Sequence, residues 1–66
     1  MLIPENDLLQ ALEENAATLS NWGFCLNCGS QQDGCEPDAR DYGCDECGQR
    51  AVSGAEEILL TNQYEK

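Results

Sequence analysis

Cys25-Leu26-Asn27-Cys28-Gly29 and Cys44-Asp45-Glu46-Cys47-Gly48 are two copies of one pattern, Cys-x-x-Cys-Gly, with residues 29–43 between their inner cysteines. A tetrahedral metal ion needs four donors, about 2.3 Å from the centre when the donors are sulfur. Two cysteines separated by two residues in a tight turn can both face one ion. The glycine after the second cysteine tolerates the left-handed conformation that completes the turn, and it leaves backbone N–H groups free to face the thiolates. Such N–H···S contacts orient and tune the ligands. One pair alone would equally describe a redox dithiol. Two pairs, both followed by glycine and spaced for a hairpin, point to a single four-thiolate site made of Cys25, Cys28, Cys44 and Cys47. All-sulfur tetrahedral sites select zinc or iron, and one Zn²⁺ per chain is the expected ion. With four protein donors no position is left for water or substrate, so the expected role is structural.

The bulk composition agrees with a metal rather than disulfides. The chain has 66 residues and five cysteines. A chain this short buries a modest core, and small domains make up the shortfall with disulfides, a metal or oligomerisation. Five thiols cannot all pair within one chain. Met1-Leu2-Ile3-Pro4 runs straight into acid, with no basic stretch and no apolar run of signal or membrane length. A cytoplasmic location follows as the expectation, and there thiols stay reduced. Cys35, between the two pairs, is expected to be a bystander thiol that alkylation modifies while the four ligands are spared.

Charge is lopsided. Thirteen acids face three bases, Arg40, Arg50 and Lys66, for a formal charge of −10. Four thiolates around a divalent ion would add two further negative charges. Such a chain repels phosphate backbones, and it lacks the clustered Lys and Arg that direct nucleic-acid binding requires. The acids form either a solvated surface or the complement of a partner protein with a basic face.

The sequence reads as one domain in three zones. Over residues 4–21 an amphipathic helix is expected. Leu8, Leu9, Leu12, Ala16 and Leu19 make its apolar arc, Asp7 and Gln10 a capping box, and Gly23 either its stop or the start of the next zone. The metal unit occupies residues 22–53, with short strands before and after each knuckle and a polar connector from Gln31 to Asp41. A short helix over 54–61 is expected, with Ser53 and Glu56 as a capping box, Ile58, Leu59 and Leu60 as its apolar side, and a frayed tail from Asn62.

Weaker features have bland readings beside sharper ones. Within Glu36-Pro37-Asp38-Ala39-Arg40-Asp41, Pro37 and Asp38 suit a turn, and Arg40 either pairs with a nearby acid or is presented to a partner. The three acids of that stretch could be read as a hard-cation site, but loop carboxylates are ordinarily solvated. Trp22, Phe24 and Tyr42 are expected to pack on the helix rather than stack on bases, because Asp45 and Glu46 at the second knuckle repel phosphate. Leu26, at the tip of the first knuckle, is a candidate exposed contact. The chain has no histidine and no Gly-rich phosphate loop, so no catalytic residues and no enzymatic activity are expected.

From Phe24 to Glu57 the chain resembles zinc ribbons with rubredoxin-like knuckles. More narrowly, the string Gly34-Cys-Glu-Pro-Asp-Ala-Arg40, then Tyr42, the second knuckle and Gly54-Ala-Glu-Glu57, is similar to a group of very short phage and prophage proteins. The resemblance implies the fold and the four metal cysteines but no reaction. The expected fold is thus a small metal-bound α+β domain: a zinc ribbon of short antiparallel strands with an N-terminal amphipathic helix and a short C-terminal helix. The leading expectation for function is a non-enzymatic, zinc-stabilised, acidic protein-interaction module. A regulator of transcription or DNA metabolism, acting on nucleic-acid-binding machinery by occupying a basic surface, is the second reading. A one-iron electron carrier is the third.

Overall fold

The computed structural model describes residues 2–36 and 39–65. A two-residue strand β1 (Ile3–Pro4) leads into helix α1 (Glu5–Thr18). Strand β2 (Gly23–Cys25) enters the first knuckle, and β3 (Gln31–Gln32) leaves it. Strands β4 (Tyr42–Gly43) and β5 (Arg50–Gly54) flank the second knuckle in the same way. Helix α2 (Ala55–Leu60) and strand β6 (Tyr64–Glu65) complete the fold. The four knuckle strands form one antiparallel sheet in the order β3-β2-β5-β4. β1 and β6 make a separate parallel pair, with Ile3 opposite Tyr64. The architecture is a small α+β fold with two helices, antiparallel strands and a cluster of four cysteines.

Two small cores share the sheet. One consists of Ile3, Leu8, Ala11, Phe24, Ala55 and Ile58, with Leu12, Trp22, Leu26 and Tyr64 packed against it. The other consists of Cys25, Cys35, Ala39, Cys44 and Val52, with Cys47 and Ala51 beside it. The alternation of side chains along a strand explains the division: on β2, Phe24 faces the helices and its neighbour Cys25 faces the other core. Phe24 and Trp22 thus do the packing expected of them, and Leu26 joins the helical core rather than standing out as a contact. Tyr42 remains partly exposed.

The helices depart from the sequence expectation at their ends and on one face. α1 is four residues shorter than expected. It buries Leu8 and Ala11, while Leu9, Ala16 and Leu19 are exposed. The buried stripe is rotated toward Ala11, which shares one core with Phe24 and Ile58. Neither expected capping box forms. Pro4 stands at the N-cap of α1 and Gly54 at that of α2, neither with a side-chain cap hydrogen bond. Ser53 cannot cap α2 because it pairs with Phe24 inside β5. α1 stops at Leu19, whose φ of 60° is left-handed, rather than at Gly23, which belongs to β2. Asn15 then fixes the returning chain: its Oδ1 accepts from the Trp22 N–H at 2.8 Å, and its Nδ2 donates to the Trp22 carbonyl at 3.4 Å. The tail does not fray as expected. Asn62, also left-handed (φ 58°), turns the chain, the Gln63 N–H donates to the Ile58 carbonyl at 3.1 Å, and β6 reaches β1.

The connector is pinned rather than presented. Arg40 Nε donates to Glu57 Oε2 at 3.1 Å, and Glu57 is buried on α2. The Ala39 carbonyl accepts from the Gly54 N–H at 3.0 Å. Arg40 therefore neutralises a buried carboxylate, which would be costly without a partner. Pro37 and Asp38, expected to form a turn there, lie outside the described residues.

Cys35 is 1 % exposed, which overturns its reading as an accessible thiol. Its N–H donates to the Asn21 carbonyl at 2.8 Å, and it packs directly on Gly23. A Cβ on Gly23 would lie 2.5 Å from the Ser53 carbonyl oxygen and 2.9 Å from both Cβ and Sγ of Cys35. Gly23→Ala is therefore expected to destabilise the metal-loaded protein by about 1–3 kcal/mol, the range for overpacking a tight interior. Leu19→Gly is expected to act in the opposite direction, since an L side chain in the left-handed region costs roughly 1 kcal/mol and this one is exposed. Urea unfolding of both variants, each with its metal retained, measures the two signs.

Candidate metal centre

Each knuckle is built from the same backbone contacts. In the first, the Gly29 N–H donates to the Cys25 carbonyl at 2.8 Å and the Cys25 N–H to the Ser30 carbonyl at 2.9 Å. In the second, the Gly48 N–H donates to the Cys44 carbonyl at 3.0 Å and the Cys44 N–H to the Gln49 carbonyl at 2.9 Å. Gly29 and Gly48 take φ values of 81° and 77°, the left-handed turn that the motif anticipates. Two amides of each turn then face the leading sulfur. Asn27 and Cys28 donate to Cys25 Sγ at 3.3 and 3.4 Å, and Glu46 and Cys47 donate to Cys44 Sγ at 3.4 Å each.

β2 and β5 pair directly, which brings the two turns face to face. The sulfurs of Cys25, Cys28, Cys44 and Cys47 all lie within 4.8 Å of one another. Two of the cross-knuckle distances are 3.7 Å, from Cys25 to Cys47, and 3.6 Å, from Cys28 to Cys44. A tetrahedron with sulfur about 2.3 Å from its centre has edges of about 3.8 Å. A disulfide would bring two sulfurs to about 2.05 Å. The separations therefore match four thiolates sharing a central ion, and the donor set could hold one tetrahedral metal.

The surroundings act unequally on Cys25, Cys44 and Cys47. Burial pushes the Cys25 thiol up to about 11, against the two amides that favour its thiolate. The Ser30 hydroxyl, followed by the Cys47 amide, holds the Cys44 thiol down to about 6. The Asn27 side chain is the chief cause that lowers Cys47. A bound divalent cation removes this disparity, because a coordinating thiol is deprotonated outright.

Two side chains outside the sulfur set were not singled out by sequence. Asn27 Nδ2 lies 3.5 Å from Cys47 Sγ, and Ser30 Oγ lies 3.4 Å from Cys44 Sγ, so both reach from the first knuckle to the second. Their signal is visible afterwards: a short polar residue inside the first Cys-x-x-Cys and another just after its glycine. Gln32 carries no such signal, yet its side chain accepts from the Asp45 N–H at 3.3 Å and donates to the Gly43 carbonyl at 3.2 Å, bracing the second turn. Cys35 shares a core with Cys25 and Cys44 but is not part of the sulfur cluster, and burial raises its pKa. Among the described residues, the four cysteines are the one group of three or more His, Cys, Asp or Glu side chains placed to hold a metal; Asp38, the middle acid of the Glu36–Asp41 stretch, lies outside the described residues. Also among the described residues, no helix is long and apolar enough to cross a membrane.

No family model, curated protein or solved structure matches the chain.

Partners of metal ligands typically contribute 10–100-fold in metal affinity. Asn27→Ala removes such a partner from Cys47 without touching a sulfur or a backbone contact. Metal affinity is expected to fall by about that factor while the far-ultraviolet spectrum of the loaded protein stays the same. Competition with a chromophoric chelator gives the affinity, and an unchanged value would assign Asn27 no part in the site.

Proposed function

We propose that the protein is a non-catalytic zinc protein, in which one Zn²⁺ held by Cys25, Cys28, Cys44 and Cys47 stabilises a small acidic module that binds a protein partner. The observation that carries the metal reading is the convergence of four sulfurs at tetrahedral spacing on two backbone-matched knuckles. Zinc or iron suits such an all-sulfur set, and zinc needs no redox partner. Four protein donors close the coordination sphere, which supports a structural ion rather than a catalytic one. Among the described residues only Ile3, Leu8, Phe24, Val52 and Ile58 are large, nearly fully buried apolar side chains, so hydrophobic burial is modest. Structural zinc contributes about 10–16 kcal/mol, as much as the whole stability of many domains.

The interaction part of the reading rests on what the staple leaves outside. The surface carries most of a −10 charge. Leu9 on α1, Leu59 and Leu60 on α2, and Leu2 beside β1 are exposed. A partner with a basic, partly apolar face fits these features. Arg40, engaged with Glu57, is not needed as a contact.

The test combines metal content, chelation and capture. Purified protein is expected to hold one zinc per chain and to lose its circular dichroism signal when a strong chelator removes it. Immobilised loaded protein is expected to retain a specific, salt-sensitive partner from lysate, and chelated protein is expected to retain none. Full native signal in metal-free protein would refute the structural role.

A further inference from the structure

The four sulfurs are not equally protected. Cys25 and Cys44 are buried, Cys47 is half-buried, and Cys28 is exposed. Hydrogen bonding sets the same sulfur, Cys28, apart. Cys25 Sγ accepts two backbone N–H groups. Cys44 Sγ accepts two backbone N–H groups and lies 3.4 Å from the Ser30 hydroxyl. Cys47 is reached by the Asn27 side chain and the Gln49 backbone N–H. The polar contacts of Cys28 are with Ser30 Oγ at 3.4 Å, where its thiol donates, and with Cys44 Sγ at 3.6 Å; neither is a backbone N–H. As a metal-bound thiolate Cys28 has no proton to give, and the single Ser30 hydroxyl proton is shared with Cys44. Donated hydrogen bonds draw charge from a thiolate and lower its nucleophilicity, whereas exposure admits an electrophile.

We propose that Cys28 is the modification site of the centre, the ligand at which a small uncharged oxidant such as hydrogen peroxide attacks first and opens the metal site. This rests on the metal-site reading above. The Cys28 thiolate attacks one peroxide oxygen, the O–O bond breaks, and Cys28 sulfenic acid and hydroxide form. Cys44 Sγ, 3.6 Å away, then attacks the oxidised sulfur, forming a Cys28–Cys44 disulfide and expelling a second hydroxide. Two thiolates are oxidised by two electrons, peroxide is reduced to two hydroxides, and the ion is left with two ligands. Charge selects the oxidant: Asp45 and Glu46 lie within the facing turn, and the −10 chain disfavours anionic disulfides and peroxides.

The experiment treats zinc-loaded protein with graded hydrogen peroxide, follows zinc with a chromophoric indicator, and maps each cysteine by mass spectrometry after alkylation in denaturant. Cys28 is expected in the first product, zinc release is expected to track its loss, and Cys35 is expected to remain a thiol. Brief exposure of loaded protein to iodoacetamide is likewise expected to label Cys28 first, and iodoacetate more slowly than it labels a free thiol standard relative to iodoacetamide. In Ser30→Ala, which removes the shared donor and no ligand, both reactions at Cys28 are expected to accelerate severalfold. First modification at Cys25, Cys35, Cys44 or Cys47, or zinc release with Cys28 intact, would overturn the proposal and leave the metal site standing. Folded protein that never holds a metal would remove both.

Discussion

Everything in this fold is arranged around four cysteine sulfurs held within 4.8 Å of one another, close enough to share one ion. Negative sulfurs repel each other, and nothing in a chain of net charge −10 offsets that repulsion from a distance. The nearby compensation is backbone: two N–H groups aimed at Cys25 and two at Cys44, presented by turns that glycine completes. A metal ion held by the four sulfurs would supply the rest of the positive charge. The strands are accordingly short. They need only carry the two turns into opposition, and the central pair β2 and β5 does so with three matched residues.

The helical layer is secondary to that arrangement. α1 and α2 bury few side chains between them, and their contact is organised by Phe24, which projects from the strand that leads into the first knuckle. Three polar devices then tie the periphery down. Asn15 grips the Trp22 backbone, Arg40 meets the buried Glu57, and β6 pairs with β1. The first closes the turn after α1, and the other two connect segments distant in sequence, all at little cost in apolar area.

The four-cysteine cluster was legible because its chemistry is periodic and local. Ligand spacing and the glycines each follow from one turn, so Cys25, Cys28, Cys44 and Cys47 and the left-handed Gly29 and Gly48 could be read residue by residue. The features that escaped depend on tertiary neighbours. A wheel projection assigned Leu19 to the buried face, whereas the helix had already ended there. Ser53 looked like a cap until its pairing with Phe24 placed it in a strand. Cys35 looked like a spare surface thiol, but a glycine at Gly23 opens the space in which it is buried. Asn27 and Ser30 reach sulfurs of the other knuckle, and no local pattern records which residues two turns will show each other.

β2 is three residues long, and two adjacent positions on it belong to different cores: Phe24 to the helices and Cys25 to the metal. A single peptide unit thus joins the coordination sphere to the packing that orients α1 and α2. No intermediate layer separates the two cores at this point: the sulfur cluster and the helical packing are one residue apart on the same strand. Any displacement of the sulfurs is therefore passed to the seat of the helices across a single step of the chain.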